Sequence, residues 1–422
     1  MKMMKLKSFL IANTMLLSAG YMLSAQADDS NDAALLKQGE YISRLGDCGA
    51  CHSIPGKPAF SGGLAIESSL GTIYSTNITP DKDHGIGNYS EQQFSDAVRK
   101  GVLPDGTRLY PAMPYPDYAK ISDQDMHALY TWFMKGVQPS AETPTKTDLS
   151  FPFNQRWGMR FWNLAFTSDR PFQPIGGASA EVNRGAYLVE SLGHCGSCHT
   201  SRGLAMNEKA LDSSDNKFLS GGSLNGWEVP SLRGLPHWTE PEIVDYLATG
   251  RNDKAAVGGE MTSVIEHSTS YMTEADLKAI AAYLKFLGGN QPVPVAEDNA
   301  VSATEAKLTS AKDLTTGERL YLDNCGACHF VTGKGAPGVF PQLDQATIVN
   351  AGDPTGLIHT ILAGAQQPST AKSPSTLVMP GFKSRLSDDE VAQLATFIRQ
   401  GWSNKASAVT ADQVAKVRKT LK

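Results

Sequence analysis

Beyond its first 27 residues the chain has no apolar run long enough to cross a bilayer, which excludes a body built of membrane spans. Positive charge is also short. Lysine and arginine number 38 against 43 acidic residues, for a formal net charge of -5. Removing the first 27 residues, with their three lysines and no acid, leaves about -8, a surface that repels a phosphate backbone and excludes nucleic acid as a partner. No G-x-G-x-x-G follows a strand pattern and no nucleophile motif occurs, so substrate chemistry must lie on another chain. Cysteine is scarce, at six in 422 residues, and none stands alone. The hydrophobic share of 41% and charged share of 19% describe a folded globular protein, and the length points to two to four domains.

The amino terminus has its own logic. Lys2, Lys5 and Lys7 precede an apolar run from Phe9 to Leu23, and Ala25-Gln-Ala27 follows as a small-x-small cleavage pattern. Residues 1–27 are read as a signal peptide. The competing reading, an uncleaved anchor, is disfavoured by the shortness of the apolar run. The expected product is exported, begins near Asp28, and meets a membrane only peripherally or through a partner.

All six cysteines fall in three copies of one pentapeptide: Cys48-Gly-Ala-Cys51-His52, Cys195-Gly-Ser-Cys198-His199 and Cys325-Gly-Ala-Cys328-His329. A zinc site needs ligand pairs converging from separate segments, and a redox C-x-x-C needs no histidine after it. Covalent attachment of haem c needs this spacing: two thiols for the two vinyl groups of one porphyrin edge, and the next histidine as axial iron ligand. Attachment of this kind takes place outside the cytoplasm in bacteria, in agreement with the leader.

The repeat extends beyond the pentapeptides. Ser122, Thr273 and Ser387 each stand three residues before an acid (Asp125, Asp276, Glu390) and ten before an aromatic (Trp132, Tyr283, Phe397), which predicts a capped terminal helix in each module. Leu129, Ile280 and Leu394, three positions before those aromatics, give each helix an apolar stripe. A middle helix ending in glycine is predicted before Gly101, Gly250 and Gly364, the last starting at Gly352-Asp353. Before each attachment motif, Gly39, Gly185 and Gly317 sit in a helical segment, where a glycine lets the first and last helices cross closely. The expected fold is all-α, with three tandem cytochrome c-type domains.

The sixth iron ligand should be a soft thioether or an imidazole. Met113 and Met379 both lie in Met-Pro pairs eight or nine residues before the terminal N-cap, and are assigned that role with His52 and His329. The middle module has no Met-Pro. Met261 lies as far beyond His199 as Met113 lies beyond His52, to within one residue, and is favoured; Met272 and His267 compete. Met272 directly precedes its cap, where an apolar residue often staples the helix start. Arg108 and Arg251, near the ligand loops, are candidates to pair haem propionates.

Composition sets the boundaries: module one at 28–144, an aromatic-rich connector at 145–176, module two at 177–290, a linker at 291–310, module three at 311–402 and a basic tail at 403–422. Gln138 to Pro144 also reads as linker. Phe151, Phe153, Trp157, Phe161, Trp162, Phe166 and Phe172 are too many aromatics for a free connector. They either pack between modules one and two or form a docking surface for another subunit. The tail carries a net charge of about +4 on a body near -12, with Val414, Val417 and Leu421 on one face; it is either a solvated helix or a lipid contact.

These residues resemble the trihaem cytochrome c subunits of bacterial membrane-bound dehydrogenases, which serve flavin-containing gluconate, sorbitol or fructose dehydrogenases and quinone-cofactor (PQQ) alcohol dehydrogenases. The likeness covers the whole mature chain. It rests on the three C-G-[AS]-C-H motifs, Tyr74-Ser-Thr-Asn-Ile-Thr-Pro80, Asp105-Gly-Thr-Arg-Leu-Tyr-Pro-Ala-Met-Pro114, Glu266-His-Ser-Thr-Ser-Tyr-Met-Thr273 and Met379-Pro-Gly-Phe382. The resemblance implies three haem c groups relaying electrons from a catalytic subunit carrying FAD or PQQ, in some members beside a small third subunit, to ubiquinone at the periplasmic side of the cell membrane. Length and the short tail lean toward the gluconate type. Axial His plus Met leaves iron no open position, which suits outer-sphere transfer and makes the chain an electron carrier that does not itself oxidise substrate. Two rival readings fit the same motifs: a multihaem enzyme with one open iron, peroxidase-like or thiosulfate-oxidising, and a free electron shuttle to a terminal oxidase.

Overall fold

Three times along the chain, the helix that leads into a C-x-x-C-H motif crosses a later helix at a glycine. A Cβ on Gly39 would lie 2.1 Å from the carbonyl oxygen of Ala128 and 2.6 Å from Trp132 Cβ. At Gly185 the same two obstacles are Ala279 O and Tyr283 Cβ, and at Gly317 they are Gln393 O and Phe397 Cβ. The crossing partners are the helices starting at Asp123, Glu274 and Asp388, each capped by the hydroxyl expected of it: Ser122, Thr273 and Ser387 accept the amide hydrogens of Asp125, Asp276 and Glu390. Such caps contribute about 1 kcal/mol each.

The computed structural model describes residues 32–68, 70–224, 227–289 and 298–421. The leader 1–27, with its cleavage point, and residues 291–297 of the expected linker lie outside the described residues. Helices form the cores, and short antiparallel pairs fringe them: Ala65–Ser68 with Gly71–Tyr74 and then Asp148–Leu149, Gly222–Leu224 with Trp227–Val229, and Ala365–Gln366 with Val378–Met379. The middle helices Glu91–Lys100 and Glu240–Thr249 end at Gly101 and Gly250 in the left-handed conformation (φ 61° and 80°), as the sequence predicts. The third, Thr355–Ala363, starts later than expected. Asp353 Oδ1 accepts the Thr355 amide and hydroxyl, and Gly364 turns the chain into the strand pair that carries Met379.

Units one and two share a single hydrophobic core, running from Ile42 to Leu287, whereas unit three has its own. The junction between the first two is reciprocal. Tyr41 OH donates to Asp276 (2.7 Å) and accepts the Thr273 amide, while Tyr187 OH donates to Asp125 (2.6 Å) and accepts the Ser122 amide. Each tyrosine thus finishes the helix N-terminus of the other unit, a pseudo-two-fold arrangement. Gln38 and Arg184 hold the remaining oxygens of the same two acids. Unit three meets unit two through smaller, more polar contacts: Trp227 against the His359 ring (centroids 4.7 Å), Glu228 accepting the Asp353 amide, and Gln367 donating to Val257 O.

Two expected boundaries move. Residues 298–310, taken as linker, are a helix, Asp298–Ser310, whose Val301 and Leu308 are buried in the core of unit three. The tail turns its apolar face inward and leaves only its polar face to solvent. In the helix Ala411–Thr420, Val414 and Val417 are buried in that same core, and Arg418 pairs with Asp388 (2.7 Å). Unit three therefore extends outward from 311–402 at both ends. Gln138 to Pro144 is no free linker either, because the Asn77 amide donates to Ser140 O and Glu142 O and clamps it to unit one.

Candidate haem attachment sites

Each attachment motif forms a single helical turn, Cys48–His52, Gly196–His199 and Gly326–His329, directly after the glycine-bearing helix. All six thiols are free. Burial pushes the first cysteine of each motif, Cys48, Cys195 and Cys325, up to about 12. The histidines repeat even more closely: Nδ1 lies 2.7 Å from Thr76 O for His52, 2.8 Å from Pro230 O for His199 and 2.9 Å from Pro341 O for His329. A backbone carbonyl only accepts, so Nδ1 carries the hydrogen and Nε2 keeps its lone pair. Desolvation holds all three imidazoles below the ordinary histidine range, outweighing the carbonyl bond, and keeps them neutral. A neutral imidazole with a fixed tautomer is what an axial iron ligand requires. The residues present therefore fit covalent haem c.

The methionines occupy unequal settings. Met113 and Met379 are partly buried against the edges of their cores, Met113 just before the short helix Tyr115–Tyr118 and Met379 on its strand. Met261 opens the helix Met261–His267 and is half-buried, while Met272 is inside the shared core at 5% exposure, where the staple reading placed it. The neighbour of Met261, Glu260, lies near enough to raise the thiols of both Cys51 and Cys198. The first two attachment sites thus converge on one region. Arg108 Nε and Arg251 Nη1 are buried with no hydrogen-bond partner, donors left over for an acid such as a propionate.

Sequence reasoning missed a buried carboxyl pair at this convergence. Ser197, inside the second motif, donates to Asp117 of unit one (3.0 Å) and lies 3.3 Å from Glu208. Desolvation pushes both acids up, Glu208 the further, and the charge of neighbouring Asp117 raises Glu208 again. Lys120 faces Asp117, Arg202 lies 3.8 Å from Glu208, and Lys120 also approaches Glu190. Both acids are raised above their unfolded values, so the folded state binds a proton that the unfolded chain releases. Their contribution is complete below the unfolded carboxylate range and is lost as pH rises from that range through the folded values, which for Asp117 is about 6 and for Glu208 lies higher. Thermal stability should fall as pH rises from about 4 through 6. Glu208→Gln, which mimics the protonated acid, should flatten that slope. Parallel slopes for wild type and variant across that range would contradict the raised Glu208 carboxyl.

The cytochrome c family signature matches residues 182–288 and 314–402. The chain is 45% identical over 410 residues, 94% of its length, to the gluconate 2-dehydrogenase cytochrome c subunit of Pantoea cypripedii, covering 92% of that protein. It is 43% identical over 428 residues, 99% of its length, to the cytochrome c subunit of a quinone alcohol dehydrogenase from Gluconacetobacter polyoxogenes, covering 90% of that subunit. The fructose dehydrogenase cytochrome subunit of Gluconobacter japonicus is 35% identical over 96% of this chain and 88% of its own.

Proposed function

The chain belongs to the cytochrome c family, among the cytochrome c subunits of gluconate and quinone alcohol dehydrogenases, and from that premise we propose that it is the trihaem electron-relay subunit of a dehydrogenase acting on an alcohol or sugar acid. Each unit is a cytochrome c domain with one haem c, which supplies a one-electron redox couple when bound. The thioether bonds fall to Cys48 and Cys51, Cys195 and Cys198, and Cys325 and Cys328. The iron ligands are His52 with Met113, His199 with Met261, and His329 with Met379. The observation that carries this reading is the threefold repetition of a histidine whose Nδ1 faces a backbone carbonyl beside two free thiols.

Unit two touches both of the others, which makes it the middle of the relay. The donor is a catalytic subunit with FAD or PQQ, and the acceptor is ubiquinone at the periplasmic side of the cell membrane, in keeping with the leader and with the quinone in the names of the alcohol dehydrogenase relatives. Exported in a host with haem-attachment machinery, the chain should show an intact mass corresponding to three haems and a start near Asp28. It should oxidise no alcohol alone, and be reduced at once when the catalytic subunit and its substrate are added. A mass corresponding to two haems or fewer, under conditions where other c-type cytochromes mature fully, would overturn the proposal.

A further inference from the structure

The connector between units one and two presents an amphipathic helix turned inside out. In Met159–Phe166 the buried residue is polar: Asn163, whose amide accepts from Tyr115 OH (2.8 Å) and donates to Lys100 O. The outward row, at i, i+4 and i+7, is Trp157, Phe161 and Leu164, exposed by 66%, 67% and 85%. Phe151 and Phe153 extend it, and Trp162 Nε1 donates to Ala205 O (2.8 Å), which brings Leu204 and Met206, both exposed, beside it. The result is one ledge built from two segments. It is fastened to the Met113 loop of unit one, where Tyr110 OH donates to Phe153 O and Arg156 donates to Arg108 O while lying 4.5 Å over the Tyr110 ring.

Charge says what the ledge meets. Residues 150–168 hold Arg156 and Arg160 and no acid, and residues 200–207 hold Arg202 and no acid, on a chain whose net charge is -5. Projecting tryptophan, phenylalanine and leucine with arginine among them is the composition of an interfacial lipid anchor. The acidic remainder keeps other faces away from an anionic surface. The tail does not compete, since its apolar face is spent on unit three.

We propose that this ledge seats the chain on an anionic bilayer, with Trp157, Phe161, Leu164 and Leu204 below the headgroups and Arg160 at the phosphates. The proposal deepens the relay reading, on which it rests, by naming the face that meets the membrane holding the quinone, and it puts the Met113 side of unit one nearest the lipid.

The test is flotation of the holoprotein with vesicles of phosphatidylethanolamine and phosphatidylglycerol at 3:1. Wild type should float, with a blue shift of tryptophan emission, and the combined variant Trp157→Ser, Phe161→Ser, Leu164→Ser should lose roughly tenfold or more of its partitioning. Arg160→Glu should weaken binding at low salt, and Lys416→Glu with Lys419→Glu on the tail should leave it unchanged. These sites are exposed, so an unchanged haem spectrum and melting temperature are expected as the folding control. Equal flotation of the triple variant and wild type, or no flotation of wild type, overturns the proposal. So does a triple variant that floats normally but no longer binds the dehydrogenase subunit, which makes the ledge a protein interface. The relay reading is judged separately by reduction of the same variant by the catalytic subunit in detergent, which should equal wild type.

Discussion

Gly185→Ala is expected to unfold unit two or leave it without haem, although alanine is the better helix former. The propensity gain is about 1 kcal/mol in favour of alanine. Against it stands a Cβ that would lie 1.9 Å from Ala279 O, 2.6 Å from the carbonyl carbon and 2.7 Å from Tyr283 Cβ. None of these is the free end of a flexible side chain. Ala279 O belongs to a helix backbone, and Tyr283 is fully buried with its hydroxyl donating to Glu190, so the two helices must move apart along their whole contact. Overpacking of a core costs about 1–3 kcal/mol, and an immovable backbone puts this case at or past the upper end. The net loss should be about 3 kcal/mol, shared with unit one because the core is continuous. Thermal melting and the haem count of the exported protein measure it. Gly258, whose added Cβ meets nothing within 4 Å, is the control: Gly258→Ala should change stability by less than about 0.5 kcal/mol. If both variants melt with wild type, the close crossing is not what the glycine provides.

The same crossing explains how much could be read without coordinates. Gly39, Gly185 and Gly317, the hydroxyl caps and the aromatics Trp132, Tyr283 and Phe397 obey local spacing rules, and side chains at fixed spacing on two helices leave a pattern in the sequence. The histidine acceptors left none. Thr76, Pro230 and Pro341 contribute backbone carbonyls, which any residue type supplies. The pairing of units one and two had a signal that was easy to pass over. Tyrosine follows the crossing glycine by two positions in Gly39-Glu-Tyr41 and Gly185-Ala-Tyr187, but by four in unit three, where Tyr321 OH turns inward to Phe330 O. That shift of two residues moves the hydroxyl some 200° around the helix, from the face that joins a neighbour to the face that serves its own unit. The tail and residues 298–310 misled by composition: lysines and alanines read as solvated, while a few valines and leucines in helical register decide where those segments pack. The connector divides between the two readings its aromatics allowed: Trp162, Phe166 and Phe172 make inward contacts, and Phe151, Trp157 and Phe161 stay outside.

Met261→Ala should open an iron in unit two, and Met272→Ala should not, although the two methionines differ by only eleven positions. Met272 is 5% exposed in the core shared by units one and two, directly before the cap residue whose amide Tyr41 receives. Truncating it removes a packed side chain and leaves a cavity, at about 2–4 kcal/mol, with the haem spectrum intact. Met261 is half-buried at the start of its helix and outside the buried core, so its truncation should cost little stability and much coordination. His267 ends the same helix six residues later, about 120° away around the axis, and does not present its ring where Met261 presents its sulfur. The reduced wild type should bind little carbon monoxide, and Met113→Ala, Met379→Ala and Met261→Ala should each create one binding site per molecule. If Met261→Ala binds none while Met272→Ala or His267→Ala gains a site, the ligand assigned to unit two is wrong. If the reduced wild type already binds one carbon monoxide per chain, an iron is open from the start, and the enzyme reading replaces the relay for that unit, because an iron with a free position can take a small-molecule substrate directly.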